Sequence, residues 1–302
     1  MYDIIVVGGG PAGLTAAVYG LRAGKSVLVI EKNGFGGQIA FSPKVENIPG
    51  TVSISGSEFA DKLTEQVMNL GADVELETVV CVEDKGDVKV VTTEEGSTYE
   101  GKTVILAVGV KHRTLGLPGE NELIGNGISF CAVCDGAFYA GQEVAMIGGG
   151  NSALQEALLL SEVCNKVTIV QNLADFTGEK KLADALLEKE TVEVLFSTVV
   201  AGYEAEGGTL TGLRLRSEVT GEESHIAVDG AFLAVGLQPE YEPFTQLAKL
   251  NDWGYFDSGE DCCTATPGLF VAGDCRSKRI RQVVTAAGDG AIAAMAACRY
   301  LE

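Results

Sequence analysis

Ile4-Ile5-Val6-Val7-Gly8-Gly9-Gly10-Pro11-Ala12-Gly13 opens the chain with a short β-favouring run that turns on glycines into a helical pattern reaching Ala23. A second apolar strand, Ser26 to Ile30, ends in Glu31. Gly8, Gly10 and Gly13 have the spacing at which one glycine makes a tight turn, one admits a pyrophosphate and one lets helix and strand pack. The helix N-terminus then faces the phosphate charge. Glu31 stands 18 residues past Gly13, near the distance at which an acid takes ribose hydroxyls. Strand, turn, helix, strand and acid in register are far more specific than the glycines alone.

The pattern recurs. Val144-Ala145-Met146-Ile147 leads into Gly148-Gly149-Gly150-Asn151-Ser152-Ala153, offset by 140 residues. Val104 to Gly109 is echoed by Ala231 to Gly236. A further apolar strand, Gly268 to Asp274, precedes a helical stretch from about Gln282, and one parallel sheet needs it as the closing strand of the first copy. The expected fold is therefore α/β, with two Rossmann-like dinucleotide-binding domains, the second inserted into the first. The outer domain is expected at 1–112 and 242–302 and the inserted one at 113–241. Connections are expected near Lys111–Pro118 and Leu237–Pro243, which carry Gly116 and several prolines.

Just before the second turn lies Cys131-Ala132-Val133-Cys134-Asp135. Two thiols at this spacing can close a small reducible disulfide, and a thiolate at a helix start is an effective nucleophile toward another disulfide. Asp135 reads as a proton donor or acceptor, or as a helix cap. The other cysteines carry weaker signals. Cys81, Cys164 and Cys298 read as small buried hydrophobes. Cys262 and Cys263 could join the pair around a metal, but the ligands would come from distant segments and the chain has 2 histidines, so no metal is expected. The roles of Cys262, Cys263 and Cys275 stay open.

A net charge of −20 excludes nucleic acid and anionic membrane surfaces as general partners. No run approaches the roughly 18 apolar residues of a membrane span. Met1-Tyr2-Asp3 runs straight into a strand, leaving no room for a signal peptide, and the cysteines read as cytosolic thiols, so a cytoplasmic protein is expected.

These residues resemble the low-molecular-weight thioredoxin reductases across essentially the whole chain. The likeness is carried by the Gly8–Gly13 turn, Gly36-Gly37-Gln38, Glu46 to Gly50, Cys131 to Gly136, and Gly273-Asp274 followed by Arg281-Gln282. It implies FAD on the outer domain, thioredoxin as substrate and a homodimer. By the same likeness Pro11, Ala12, Gly36, Gly37, Gln38, Asn47, Gly109, Gly273, Asp274, Arg281, Gln282 and Val283 contact the flavin cofactor. Cys134 faces the flavin, and Cys131 attacks the substrate.

The second turn departs from that family. Where the family carries a His-Arg-Arg run and a further arginine for a 2′-phosphate, this chain has Gln171-Asn172-Leu173-Ala174 and Thr177. No acid ends the strand to take ribose hydroxyls, Asp175 being the nearest. The departure is similar to the ferredoxin-dependent flavin branch, so ferredoxin is the expected donor and NADPH the alternative. Arg276, Lys278, Arg279 and Arg281, with a smaller group at Lys111, His112 and Arg113, are the expected ferredoxin-docking surface. Further alternatives are a small-molecule dithiol oxidase using oxygen and a flavin-bound redox sensor, both fitting the Cys131–Asp135 sequence less well.

Overall fold

A computed structural model describes residues 1–42, 45–238 and 241–302. The chain divides into two compact units, one of Met1–Lys44, Ile48–Lys111 and Pro239–Glu302, the other of Val45–Asn47 and His112–Gln238. Of the expected connection at Leu237–Pro243, Pro239 and Glu240 lie outside the described residues. The outgoing and returning connections pair as a short ladder of Lys111–His112 with Leu237–Gln238, and the Arg113 amide donates to the Gly236 carbonyl at 3.0 Å.

In the first unit the β-branched run Tyr2–Val7 lies between Val27–Glu31 and Thr98–Leu106, parallel to both, with Ile5 opposite Leu28 and Val104. Ile4, Ile5 and Val6 are wholly buried, as a strand covered on both faces requires. Asp73–Leu76 extends the sheet at one edge. Leu269–Val271 pairs parallel with Thr98–Leu106, and Lys89–Thr93 and Val79–Asp84 continue it antiparallel, giving seven strands among the described residues. Helices Pro11–Arg22 and Val283–Tyr300 pack together through small residues. A Cβ on Gly290 would fall 2.1 Å from the Ala12 carbonyl oxygen, so glycine sets their approach.

The second unit repeats the plan. Among the described residues, five parallel strands run in the order Val192–Leu195, Lys166–Val170, Glu143–Ile147, Gly230–Leu233, Ile128–Ser129. Leu154, Ala157 and Leu160 of helix Asn151–Ser161 share one core with Ala183 and Leu186 of Lys180–Leu187. A second core gathers Leu210, Leu213 and Leu215 of an antiparallel three-stranded sheet against Ala145, Ile147 and Leu233. Among the described residues no helix is long and apolar enough to cross a membrane.

The strand-to-helix turns are built alike. The Gly8 amide donates to the Ile30 carbonyl at 2.8 Å, and the Gly148 amide to the Val170 carbonyl at 3.0 Å. A Cβ on Gly8 would sit 2.3 Å from the Ala107 carbonyl oxygen, and one on Gly148 would sit 2.6 Å from that of Ala234. Gly13 is tighter still, its Cβ position lying 1.9 Å from the Gly8 carbonyl oxygen. Gly10 is different, since a Cβ there would meet nothing nearer than 3.9 Å. Gly13→Ala should therefore lower unfolding free energy by about 1–3 kcal/mol, whereas Gly10→Ala should change it by less than about 0.5 kcal/mol. Urea unfolding of both variants checks this, and equal losses would contradict it.

Candidate active site: a dinucleotide cradle and a two-cysteine turn

The open space at Gly10 lies at the start of helix Pro11–Arg22, which no side chain caps, so its first amides can serve an anion. Pro11 holds the first helical position, where its missing N–H costs nothing. Gly36 and Gly37, both at positive φ, close over this turn: the Gly36 amide donates to the Gly9 carbonyl at 2.8 Å. Gln38 continues the tight turn Gly37–Phe41. Glu31 is fixed at the strand end, accepting from the Gly9 amide at 2.6 Å and the Asn33 amide at 3.0 Å.

Ala12 meets the last strand's turn, where a Cβ on Gly273 would lie 2.8 Å from its own Cβ. The next residue, Asp274, has a buried Oδ1 with no hydrogen-bond partner. Burial pushes its carboxyl pKa up, while Lys278 and Arg281 pull it back. Arg281 donates from Nε to the Asp274 carbonyl at 3.2 Å and lies over the Tyr255 ring at 4.1 Å. Gln282 caps helix Val283–Tyr300 in a reciprocal pair with Thr285. Gly109, at positive φ, accepts from the Tyr241 hydroxyl at 2.9 Å. Asn47 groups with the other unit. An anion-ready turn joined to a buried carboxylate oxygen lacking a donor suits a dinucleotide with a hydroxylated chain, which is the make-up of FAD.

The expected basic docking run is corrected here. Arg276 is buried and bidentate to Asp289, at 2.8 and 2.9 Å, and Lys278 reaches the same carboxylate at 2.8 Å. Asp289 also accepts the Gly273 amide at 3.1 Å. These two cations brace the Asp274 turn and are not free to meet a partner; Arg281 is likewise engaged, and Arg279 is exposed. Cys262 and Cys275 are buried, with burial pushing their thiols up to about 12, which makes them inert at neutral pH. Cys164 and Cys298 are buried as expected, whereas Cys81 is half-buried.

In the second unit Cys131 and Cys134 form a disulfide, with Cα atoms 5.3 Å apart. Cys131 caps the short helix Ala132–Asp135, and the Cys134 amide donates to its Sγ at 3.2 Å. Val133, between the cysteines, is exposed. Two residues that the sequence reading did not single out hold this turn. Ser129 donates from its hydroxyl to Asp135 Oδ2 at 2.6 Å and accepts the Cys131 amide at 3.1 Å. Glu156 accepts the Ala132 amide at 3.0 Å. An acid in helical phase with buried Ala153 and Leu160 was the available signal for Glu156.

The nucleotide turn of this unit is braced by its own chain, and a Cβ on Gly150 would meet nothing nearer than 3.8 Å. Gln171 takes the place of Glu31, its side chain 2.6 Å from where a Cβ on Gly149 would be, and donates from Nε2 to the Asp175 carbonyl at 3.0 Å. Thr177 and Gly178 donate their amides to the Gly149 carbonyl, as Gly36 does to Gly9.

Burial raises the Asp135 pKa above its ordinary 3.8, with the Ser129 hydrogen bond opposing. The stability this group contributes is full below the ordinary value and is lost as pH rises through the raised folded value. Asp135→Asn, which can still accept from Ser129, should therefore melt higher than the parent at pH 7, and the gap should close as pH falls to about 3.8. Thermal unfolding across that range checks the sign; a variant melting lower at pH 7 would reverse it.

Comparison with known proteins agrees with this geometry. The family model "Pyridine nucleotide-disulphide oxidoreductase" matches residues 2–290. The chain is 41% identical to the thioredoxin reductase of Bacillus subtilis, covering 100% of this chain and 95% of that one. It is also 41% identical to that of Listeria monocytogenes, covering 100% and 94%. The crystal structure of thioredoxin reductase from Streptococcus pyogenes superposes with a TM-score of 0.95 at 38% identity, covering 100% of this chain and 98% of that one. With two glycine turns of one design and a disulfide turn between them, this chain belongs to the pyridine nucleotide-disulphide oxidoreductase family, and within it is a flavoprotein disulfide reductase of the thioredoxin reductase type.

Proposed function

We propose that the chain reduces thioredoxin through the Cys131–Cys134 pair, with FAD held on residues 1–112 and 242–302 and the pair carried by 113–241. The observation that carries this reading is the disulfide seated on Ser129, Asp135 and Glu156. FAD, when bound, supplies the electron pair that opens the disulfide. Gly8, Gly10, Pro11, Ala12, Gly13, Glu31, Gly36, Gly37, Gln38, Gly273 and Asp274 would hold it, with Gly109, Arg281, Gln282, Val283 and Asn47 as further contacts.

Opening the disulfide takes two electrons and one proton and leaves one thiol and one thiolate. Asp135, kept toward its protonated form by burial, is the local proton source and sink. Cys131 is the attacking sulfur, supported by the Cys134 amide, which is shared between the Cys131 carbonyl and Sγ at 3.2 Å each and so lends its thiolate a donor. Its attack forms a mixed disulfide and releases one thioredoxin thiolate. Cys134 then attacks Cys131, re-forming the disulfide and releasing the second. A homodimer in the cytoplasm completes this reading.

For the donor, a pyridine nucleotide, NADPH, has the better support. The Gly148–Ala153 turn keeps the plan of the first, and the family model is that of pyridine nucleotide enzymes. Neutral Gln171 and the absence of any Lys or Arg from Gln171 to Thr177 leave little to grip a 2′-phosphate. That absence is the observation favouring a ferredoxin donor, two of whose expected docking cations, Arg276 and Lys278, are held by Asp289.

Anaerobic flavin bleaching by NADPH, NADH and reduced ferredoxin in parallel tests the donor. NADPH should bleach saturably, with a preference over NADH below about tenfold, since no charge-assisted contact to the 2′-phosphate is provided. Bleaching by reduced ferredoxin alone would transfer the reading to that donor. Cys131→Ser should lose at least about 100-fold in thioredoxin reduction while its flavin still bleaches. Near-normal turnover by that variant would sink the relay.

A further inference from the structure

Glu156 lies outside the cysteine turn in sequence yet carries its first amide. It projects from helix Asn151–Ser161, whose buried residues are Ala153, Leu154, Ala157, Leu160 and Ser161, and accepts the Ala132 amide at 3.0 Å across 24 residues. The turn Ala132–Asp135 would otherwise point its leading amides toward Cys131, as short turns after a capping cysteine do when they acidify a thiol. Here the amides are divided. That of Cys134 is shared between Cys131 Sγ and the Cys131 carbonyl, that of Asp135 goes to the same carbonyl, and that of Ala132 to Glu156.

We propose that Glu156 is a positioning residue of the thiol centre: it anchors the cysteine turn to helix Asn151–Ser161 and, held on the amide of the residue next to Cys131, places a negative charge at the turn that restrains the acidity of Cys131. The consequence is thermodynamic. A dithiol whose thiolate is strongly stabilised is a poor reductant, because its reduced form is favoured. A carboxylate beside the attacking sulfur works the other way and keeps the pair willing to give up electrons, which is what a disulfide reductase needs. Burial raises the Glu156 pKa, with the Ala132 amide opposing, so the restraint is present once Glu156 ionises as pH rises. The other titratable groups at this turn are Asp135, held by Ser129, and Tyr139 of the following turn, which feels Asp135 and Asp229. Helix Lys180–Leu187 packs on the other side of Asn151–Ser161 through Ala183 and Leu186.

The inference rests on the disulfide-reductase reading only in taking Cys131–Cys134 as the redox pair, and its test needs neither thioredoxin nor an electron donor. Parent, Glu156→Gln and Glu156→Ala full-length proteins would be reduced, and the rate of Cys131 alkylation by iodoacetamide followed against pH by mass spectrometry. The same proteins would be equilibrated in glutathione buffers to find the fraction reduced. Glu156→Gln keeps the amide contact and loses the charge, so its alkylation midpoint should fall by about one pH unit. Its dithiol–disulfide equilibrium should move toward the dithiol by roughly 3–10-fold. Glu156→Ala should shift the same way and also speed hydrogen exchange at the Ala132 amide, an exchange rate that Glu156→Gln leaves near the parent's. If Glu156→Gln matched the parent in both alkylation midpoint and glutathione equilibrium, the charge would have no such role and the proposal would fall. Because the glutamine is isosteric, that result stands even if the alanine variant does not fold.

Discussion

Two carbonyl oxygens set the terms for this protein. Ala107 O and Ala234 O each approach the first glycine of a strand-to-helix turn so closely that a Cβ would lie 2.3 and 2.6 Å away. Only glycine, at φ values of 110° and 127°, lets the chain leave the sheet there and start a helix at once. In the first unit Gly13 extends the constraint, packing the helix against the Gly8 carbonyl. The second unit replaces it with Ala153 and so has the looser version. Everything that could hold a dinucleotide, from the uncapped helix start at Gly10 to the Asp274 turn beside Ala12, is placed by this close packing.

The two carboxylate systems divide the remaining labour by their partners. Asp289 is saturated by Arg276, Lys278 and the Gly273 amide, which fixes a turn without offering a free charge. Its pKa is held low because those hydrogen bonds and charges outweigh the burial that would raise it. Asp135 is under-supplied: one oxygen takes the Ser129 hydroxyl, and the other, Oδ1, is buried without a partner. Burial raises its pKa, as the proton-carrying role proposed for it requires. The difference between a saturated brace and an under-supplied carboxyl is therefore visible in how many donors each receives.

What could be read from sequence was what is local in sequence. The glycine spacing, Glu31 at its strand end, the repeat 140 residues on and the cysteine pair all lie within short windows where backbone geometry dictates residue type. What escaped was fixed by partners far along the chain. The basic run at Arg276 and Lys278 reads as surface charge until Asp289, on a helix that starts seven residues after Arg276, is seen to bury it. Glu156 meets the cysteine turn across 24 residues, so no motif around Cys131 contains it; Ser129 stands two residues before Cys131, but a lone serine there carries no signal until its hydroxyl is seen on Asp135. The electron donor is only partly legible for a related reason. Missing arginines after Gln171 point to ferredoxin, but two of the cations expected to receive it, Arg276 and Lys278, are held by Asp289, while Arg279, Lys111 and Arg113 are exposed.

The central claim is that FAD and the Cys131–Cys134 disulfide are one relay on one chain. An anaerobic reductive titration of the purified protein, with flavin absorbance and free thiols counted together, tests it most directly. The account predicts uptake of four electrons per chain, two for the flavin and two for the disulfide, with both thiols appearing at Cys131 and Cys134. Uptake of only two electrons, with the flavin bleached and the disulfide intact, would contradict it.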